Sequence, residues 1–278
     1  MQLLGLPEEI LVLILESTIR PVDPRVSLPN SQSILTCRTF HRIGLPILYR
    51  TLLLKSSSNA ALVRRSLLER PALVRYVRHL FSRVSTFWLQ LVLRAIGHAE
   101  GSLHTLDFSI SAIWVSGRLD SNDEVEPLAA VPVRRLAVRL GSSWVMHDRV
   151  LSIVNSLAEA IERWPNLEVA DIEPRLLLSS IPRGQPSPVA LALSRSPTLR
   201  FLRTSLPPEW DPSLLITSEN PGLKRIALTT SRVASGSDGI SSNVVEVPVA
   251  ALVAQTDFHP WLVEAQKHHR LMELIFTT

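Results

Sequence analysis

The chain has 278 residues, of which 46% are hydrophobic, with a formal net charge of +4 and a single cysteine. This length accommodates one extended domain or a small module followed by a larger one, and a single cysteine excludes an internal disulfide. Acidic residues interrupt the only long apolar run near the N-terminus, and basic residues never form a run of five or six. We therefore expect a cytoplasmic or nuclear protein with no signal peptide, no membrane span and no nucleic-acid partner.

The first predicted element is a helix near the N-terminus, where residues 6–9 read Leu-Pro-Glu-Glu. Proline is tolerated in a first helical turn because its missing N–H would have no partner there, and the two glutamates suit the positive end of the helix dipole. The helix is therefore expected to begin at Leu6 or Pro7. Its apolar residues form a surface broader than one neighbouring helix covers, with Ile10 and Ile14 on one face and Leu11 and Leu15 on the next.

A second apolar cluster follows at near-helical spacing and comprises Ile34, Leu35, Cys37, Phe40 and Ile43. Ser31 or Ser33 is expected to cap this helix, and Gly44 is expected to stop it. We expect Cys37 to act as a small apolar residue in helix packing. A short helical turn at Leu45-Pro46 then leads into residues 49–54, which have the composition of a strand.

These two segments, LPEEILVLIL and LTCRTFHRIGLPILYRTLLL, resemble the F-box of the large fungal F-box protein families. The resemblance lies in the Leu-Pro opening, the Cys-Arg-x-Phe step from Cys37 to Phe40, and the Leu-Pro-Ile-Leu-Tyr-Arg run from Leu45 to Arg50. It covers residues 1–55, which we predict to be an adaptor-binding module. The segment from Arg20 to Asn30 departs from the family, because it holds three prolines and is longer than the usual link between the first two helices.

The resemblance implies three short helices that bind a Skp-type adaptor and, through it, a cullin. The residues that it places in the adaptor contact are Leu6, Pro7, Ile10, Leu11, Ile14, Cys37, Phe40 and Leu45. An alternative stays open, in which Leu6, Ile10, Ile14 and Phe40 are ordinary core residues of a helical cap. A face of four or five such side chains would not stay in water, so this chain or a partner must cover it.

Residues 56–278 contain a recurring phrase in which two apolar residues lie three apart and a third lies two further on. Residues 56–59 (Ser-Ser-Ser-Asn) are a natural linker or helix cap before this region. Recurrence at a spacing of 24 to 34 residues is typical of a solenoid, and the phrase itself is that of leucine-rich-repeat strands. The seven instances begin at Val77, Leu103, Val133, Leu167, Leu199, Leu223 and Leu271.

Segments with helical periodicity lie between these phrases, at residues 88–96, 150–164, 188–195 and 260–269. The predicted fold class is therefore α/β, with the N-terminal three-helix module followed by a leucine-rich-repeat-like solenoid of parallel strands. Chance recurrence of leucine pairs is the alternative. The long gap before the last phrase holds Gly-Ser-Asp-Gly at 236–239 and a valine-rich stretch at 244–249, which is either an extra strand or an exposed loop.

In each strand, the third and fifth residues of the phrase should point away from the helices. This face mixes arginine, acidic and aromatic residues, a combination that suits protein recognition. The predicted target-binding residues are Phe81, Asp107, Arg135, Asp171, Phe201, Arg203 and Arg225.

No motif for phosphate binding, metal binding or nucleophilic catalysis occurs, so no cofactor is expected and the protein is predicted not to be an enzyme. We interpret the chain as the substrate-recognition subunit of an SCF-type (cullin-RING) ubiquitin ligase, whose target protein the sequence does not identify. The alternative is a non-catalytic, leucine-rich-repeat-like interaction scaffold without ligase association. A hydrolase would need a convergent set of polar residues, and the sequence offers none.

Overall fold

The computed structural model describes residues 6–19, 31–110, 128–140, 148–177, 186–207, 210–229 and 260–276. They form two compact units, one of the described residues up to 109 with 128–133, and the other of residue 110 with the residues from 134 onward. The predicted boundary between residues 55 and 56 falls inside the first unit and stays a prediction. The proline-rich segment 20–30, the Gly-Ser-Asp-Gly stretch at 236–239 and the valine-rich stretch at 244–249 lie outside the described residues.

The first unit opens with helix α1 (Glu8–Ile19), a 3-10 helix (Gln32–Leu35) and helix α2 (Arg38–Arg50). These three elements bury one apolar cluster together, because α1 presents a row of residues at helical spacing and the other two elements close over it. Leu6 and Phe40 pack against this cluster from its edge. The buried members are Leu11, Leu15, Ile19, Ile34 and Ile43.

Helix α1 begins close to the predicted position, since the Pro7 carbonyl accepts hydrogen bonds from the amides of Ile10 and Leu11. The expected cap and stop of the second helix were wrong. Cys37 caps α2, its Sγ atom accepting a hydrogen bond from the Phe40 amide at 3.4 Å. The helix then continues through Gly44, where a side chain would collide with Ile34.

Helix α2 passes directly into strand β1, so the predicted strand at the end of this segment is confirmed. Ser56 caps the next helix as predicted, because its Oγ atom accepts a hydrogen bond from the Asn59 amide at 3.2 Å. The remaining elements of the first unit alternate between strands and helices. They are β1 (Thr51–Leu54), α3 (Ser57–Glu69), a second 3-10 helix (Pro71–Tyr76), β2 (His79–Ser82), α4 (Thr86–His98) and β3 (Leu103–Ile110).

Strand β2 pairs in parallel with both β1 and β3. The register aligns Thr51 with His79 and His79 with Thr105. The next residue of each strand is a leucine that is buried beneath the helices: Leu52, Leu80 and Leu106. Alternate residues therefore point to opposite faces, as the two-residue period of a strand requires.

The second unit starts in strand β4 (Val133–Leu140), and its strands pair in parallel in chain order. Helix α5 (Asp148–Arg163) packs against α7 (Pro188–Arg195), and α7 packs against α8 (Ser213–Ser218). Asn220 ties this packing to the loops, because its side-chain amide donates to the carbonyls of Leu193 and Ser196, each at 2.7 Å. The elements after β4 are α5 (Asp148–Arg163), β5 (Val169–Ile172), α6 (Pro174–Leu177), α7 (Pro188–Arg195), β6 (Phe201–Ser205), α8 (Ser213–Ser218), β7 (Arg225–Thr229), α9 (Pro260–Ala265) and α10 (His269–Phe276).

The predicted α/β class with parallel strands is confirmed, and six of the seven recurring phrases lie on strands. The seventh, at Leu271, was wrong because it lies in helix α10. Leu271, Leu274 and Ile275 are buried on one face of that helix. Two apolar residues three apart fit a helix as well as the strand phrase, so the spacing alone did not separate the two. The predicted helix at 260–269 is divided between α9 and α10.

Candidate functional site

Helix α1 carries an apolar face that its own unit leaves in contact with solvent. Leu11, Leu15 and Ile19 point into the cluster shared with α2. On another face, Ile10 is 42% exposed and Leu13, three residues further, is 61% exposed. Ile14 lies beside them on the same face and is half-buried. We call Ile10, Leu13 and Ile14 the α1 surface.

The clustering of these residues distinguishes the α1 surface from ordinary exposed leucines. Helix α3 also exposes two leucines, Leu62 and Leu68, but six residues separate them, so they point in different directions. Single exposed apolar residues are common on soluble proteins and need no explanation. A helix that is apolar on nearly every side is usually covered on every side. The α1 surface is therefore the part of this helix that a partner would cover.

Two ion pairs hold α1 against α2 and fix the orientation of the α1 surface. Arg42 donates to both carboxylate oxygens of Glu8, at 3.1 and 2.7 Å. These hydrogen bonds and the positive charge of Arg42 lower the pKa of Glu8. Arg50 lies 3.4 Å from Glu16 near the other end of the helix. Because both acids come from α1 and both arginines from α2, the pairs oppose rotation of α1 about its axis.

The predicted adaptor-contact residues do not share one environment. Ile10 and Pro7 are exposed, whereas Ile14 and Leu45 are half-buried. Leu6 and Phe40 are half-buried against the core cluster, as the alternative of a helical cap predicted for them. The expectation was wrong for Leu11, which is 3% exposed and belongs to the core, whereas Cys37 is half-buried and caps α2. Leu11 is buried because it faces the cluster that α2 closes.

The sequence analysis did not single out Leu13 and Leu35 as exposed apolar residues, although both belong to the apolar segments that it identified. Leu35 is 75% exposed at the end of the 3-10 helix. The available signal was the composition of α1, which is apolar on more sides than one neighbouring helix covers. That signal indicates an extra face, but it does not say which residues form it.

In the second unit, the outward residues of four adjacent strands form a second surface. The register aligns Arg135, Val169, Phe201 and Arg225 in one row, and Asp171 with Arg203 in the next. All of these residues are exposed or half-buried, while the alternate residues Leu136, Ala170, Leu202 and Ile226 are buried. The structure thus brings together five of the predicted target-binding residues. We call Arg135, Asp171, Phe201, Arg203 and Arg225 the strand surface.

Arginine dominates the electrostatics of the strand surface. The guanidinium of Arg225 lies 5.9 Å from the ring centroid of Phe201, within the range of a cation–π contact. Asp171 is the only acid of the surface, and it pairs with Arg139 at 3.3 Å. Three arginines and one aromatic ring on the same surface suit a partner segment that carries acidic and apolar side chains.

Phe81 and Asp107 belong to the first unit and occupy aligned positions on β2 and β3. The expectation that they lie on an open face was wrong for both, since Phe81 is buried and Asp107 is only 3% exposed. Leu80 and Leu106, the residues before them, point to the helices, so Phe81 and Asp107 point to the opposite face of the strands as predicted. Both are nevertheless buried there, so the direction of a side chain does not by itself predict its exposure.

No helix in the described ranges has the length and hydropathy to cross a membrane. Within those same ranges, no three potential metal ligands lie close enough together to hold an ion. A scan against protein-family models finds no match to this chain, and a search of curated proteins also finds none.

Proposed function

We propose that this protein is the substrate-recognition subunit of an SCF-type (cullin-RING) ubiquitin ligase. The α1 surface binds a Skp-type adaptor, and through it a cullin, while the strand surface binds a target protein. The chain itself makes no covalent bond. It raises the effective concentration of a target lysine near a ubiquitin-conjugating enzyme that the complex supplies.

The observation that carries this proposal is the exposure of Ile10 and Leu13 on a helix whose opposite side is already buried. The F-box resemblance of the sequence falls on this same helix. An exposed pair of large apolar side chains, held in place by two ion pairs, is suited to a stable apolar contact. The resemblance supplies the identity of the partner, and the geometry supplies a surface that can bind it.

The proposal includes a finer description of the fold. Helix α1, the first 3-10 helix and α2 would together form the F-box module. The strand-and-helix repeats that follow would form a leucine-rich-repeat-like solenoid. Parallel pairing in chain order within each unit supports the repeat description, since each strand adds beside the preceding one.

Co-purification with a Skp-type adaptor tests the proposal. The wild-type chain should capture the adaptor, and Ile10→Asp and Leu13→Asp should each abolish capture because they place a charge in an apolar contact. Leu62→Asp is the matched control, since Leu62 is an equally exposed leucine on another helix of the same unit. It should capture the adaptor as well as the wild type does.

Two results would count against the proposal in different ways. A wild-type chain that captures no adaptor would exclude the receptor function. If Leu13→Asp captures as much adaptor as Leu62→Asp, the contact lies elsewhere on the chain. The alternative of an interaction scaffold without ligase association predicts target binding by the strand surface and no adaptor capture, so the same experiment separates the two functions.

A further inference from the structure

A cavity of about 460 Å³ lies at the edge of the first unit, between α1, α2, the second 3-10 helix and the starts of β2 and β3. The cavity contains none of the residues that the sequence analysis placed in the adaptor or target contacts. Its charged and imidazole residues are Glu16, Arg50, Arg75, Arg78, His79 and His104. We call it the arginine cleft.

Parallel strand pairing is what assembles this cleft. The Arg78 amide donates to the Arg50 carbonyl at 3.0 Å, and the His104 amide donates to the Arg78 carbonyl at 2.7 Å. These residues therefore lie side by side, each one position before the aligned residues Thr51, His79 and Thr105 of three successive strands, with about 4.8 Å between neighbours. They are separated by 28 and 26 residues along the sequence, yet the fold places their backbones side by side.

The cleft has an excess of positive charge. Three arginines against one glutamate give a formal charge of +3 − 1 = +2 with both histidines neutral. Glu16 approaches Arg50 at 3.4 Å, a distance longer than a well-formed charged hydrogen bond. Arg75 engages the ring of Tyr76, with its guanidinium 4.6 Å from the ring centroid. The described residues that line the cleft therefore carry three guanidinium groups and one carboxylate.

The second unit contains a row of residues equivalent to Arg50, Arg78 and His104, and the charges of the two rows can be compared. There the equivalent residues before successive strands are Arg134, Glu168, Arg200 and Lys224, linked by the same backbone hydrogen bonds. Glu168 stands between two cations and binds Arg134 at 2.8 Å. In the first unit no acid stands within the row. Among the described residues that line the cleft, the acid is Glu16, which comes from α1 and lies outside this row.

We propose that the arginine cleft binds a phosphate monoester. A phosphate monoester carries a charge of about −1.5 to −2 near neutral pH, which matches the formal charge of the cleft. Its three terminal oxygens can accept hydrogen bonds from several guanidinium groups at once, a geometry for which arginine is better suited than lysine. The carboxylate of Glu16 competes with the phosphate for Arg50. The site includes none of the residues of the α1 surface, and the phosphate can belong to a phosphorylated peptide or to a small metabolite.

Calorimetric titration of the full chain at low ionic strength tests this site. Its ligands are a phosphoserine peptide, the same peptide without phosphate, glycerol phosphate and inorganic sulfate. The wild type should bind at least one phosphate monoester with saturation and bind the unphosphorylated peptide at least about tenfold more weakly, and sulfate, a tetrahedral dianion, should compete for the same site. Saturable binding of the phosphopeptide alone would assign the phosphate to a protein segment. Binding of glycerol phosphate with equal affinity would assign it to a small ligand.

Four variants separate a built site from general charge attraction. Arg78→Gln should weaken phosphate binding by about tenfold or more, because it removes charged hydrogen bonds. Glu16→Gln should tighten binding, because it removes the competing carboxylate. Arg65→Gln, which removes an exposed arginine of α3 paired with Glu69, should change binding by less than about twofold. Arg75→Gln is the second test within the cleft if Arg78→Gln unfolds.

The inference would be overturned if no phosphate monoester binds with saturation. Equal weakening by Arg78→Gln and Arg65→Gln would also overturn it, since that result reports only the net charge of the chain. None of these titrations includes an adaptor. A failure of the cleft and a failure of adaptor capture are therefore separate results.

Discussion

Gly44 controls the packing of the N-terminal cluster, and replacing it with alanine tests how tightly that cluster is closed. Gly44 lies inside α2, where alanine would ordinarily stabilise the helix by about 1 kcal/mol. A Cβ atom at this position would lie 2.2 Å from Cγ2 of Ile34 and 3.3 Å from Cδ1 of Ile19. Carbon atoms in contact are normally about 3.5–4.0 Å apart, so Ile34 would have to move by more than an ångström.

Better helix propensity and the clash with Ile34 act in opposite directions, and the larger of the two decides whether Gly44→Ala raises or lowers the free energy of unfolding. Overpacking in a closed core costs about 1–3 kcal/mol and occasionally more, and the overlap with Ile34 places this site at the upper end. Ile34 and Ile19 are both buried, which leaves little room for them to move. We therefore expect Gly44→Ala to reduce the free energy of unfolding by about 2 kcal/mol, despite its better helix propensity.

A double-mutant cycle with Ile34→Ala tests this prediction, because the effect of Gly44→Ala on the free energy of unfolding should change sign when Ile34 is truncated. Ile34→Ala removes the atoms that clash, at a cost of its own of about 2–5 kcal/mol. In that background, Gly44→Ala should be stabilising by up to about 1 kcal/mol, because only the helix propensity remains. Urea unfolding followed by circular dichroism measures the four proteins, and hydrogen exchange of α2 amides localises the change.

Gly97, inside α4, is the matched control, since a Cβ atom there would lie 3.3 Å from the nearest neighbour, Cβ of Ala130. Gly97→Ala should change the free energy of unfolding by less than Gly44→Ala does. A stabilising Gly44→Ala in the wild-type background would refute the packing of Ile34 against α2. Equal effects of Gly44→Ala with and without Ile34 would refute it as well.

Three further changes test other contacts. Leu13→Ala should weaken adaptor binding by about 5- to 20-fold, measured by calorimetry, since covering the exposed 61% of this side chain is worth roughly 0.9–1.8 kcal/mol. Asn220→Ala should reduce the free energy of unfolding by about 1–3 kcal/mol in urea titrations, because the Ser196 carbonyl loses its side-chain donor and the Leu193 carbonyl keeps only the 3.4 Å hydrogen bond from the Ser196 amide. Burial raises the pKa of Glu173, so its contribution to stability is present at low pH and is lost as the pH rises through that raised pKa. Glu173→Gln should therefore melt at a higher temperature than the wild type at pH 7, and the difference should shrink at pH values below about 4.

Strand positions could be predicted from the sequence because they follow from the alternation of buried and outward-facing residues within a short segment. A leucine such as Leu106 or Leu202 must be buried beneath helices, while its neighbours in the strand point outward. The same apolar spacing at Leu271 belongs to a helix. There, the requirement to pack against β7 and α8 decides the conformation, and no short sequence phrase contains that information.

The end of the second helix could not be predicted because the role of Gly44 depends on a distant residue. Glycine commonly ends a helix, and a following proline strengthens that interpretation. In the structure, α2 continues through both Gly44 and Pro46. The absence of a side chain at Gly44 is needed for the approach of Ile34, which the sequence places ten residues away without indicating that the two meet.

The arginine cleft shows why a composition-based argument missed a concentrated charge. A search for basic runs along the chain passes over Arg50 and Arg78, because they are 28 residues apart and neither belongs to a run of five or six basic residues. Parallel strands place the residues that precede them in adjacent positions, so charges that are separated by a full repeat in sequence become neighbours in space. In a protein built from such repeats, charge should therefore be examined at equal positions of successive repeats. By that criterion, the Glu168 position of the second unit is neutralised internally, and the Arg78 position of the first is not.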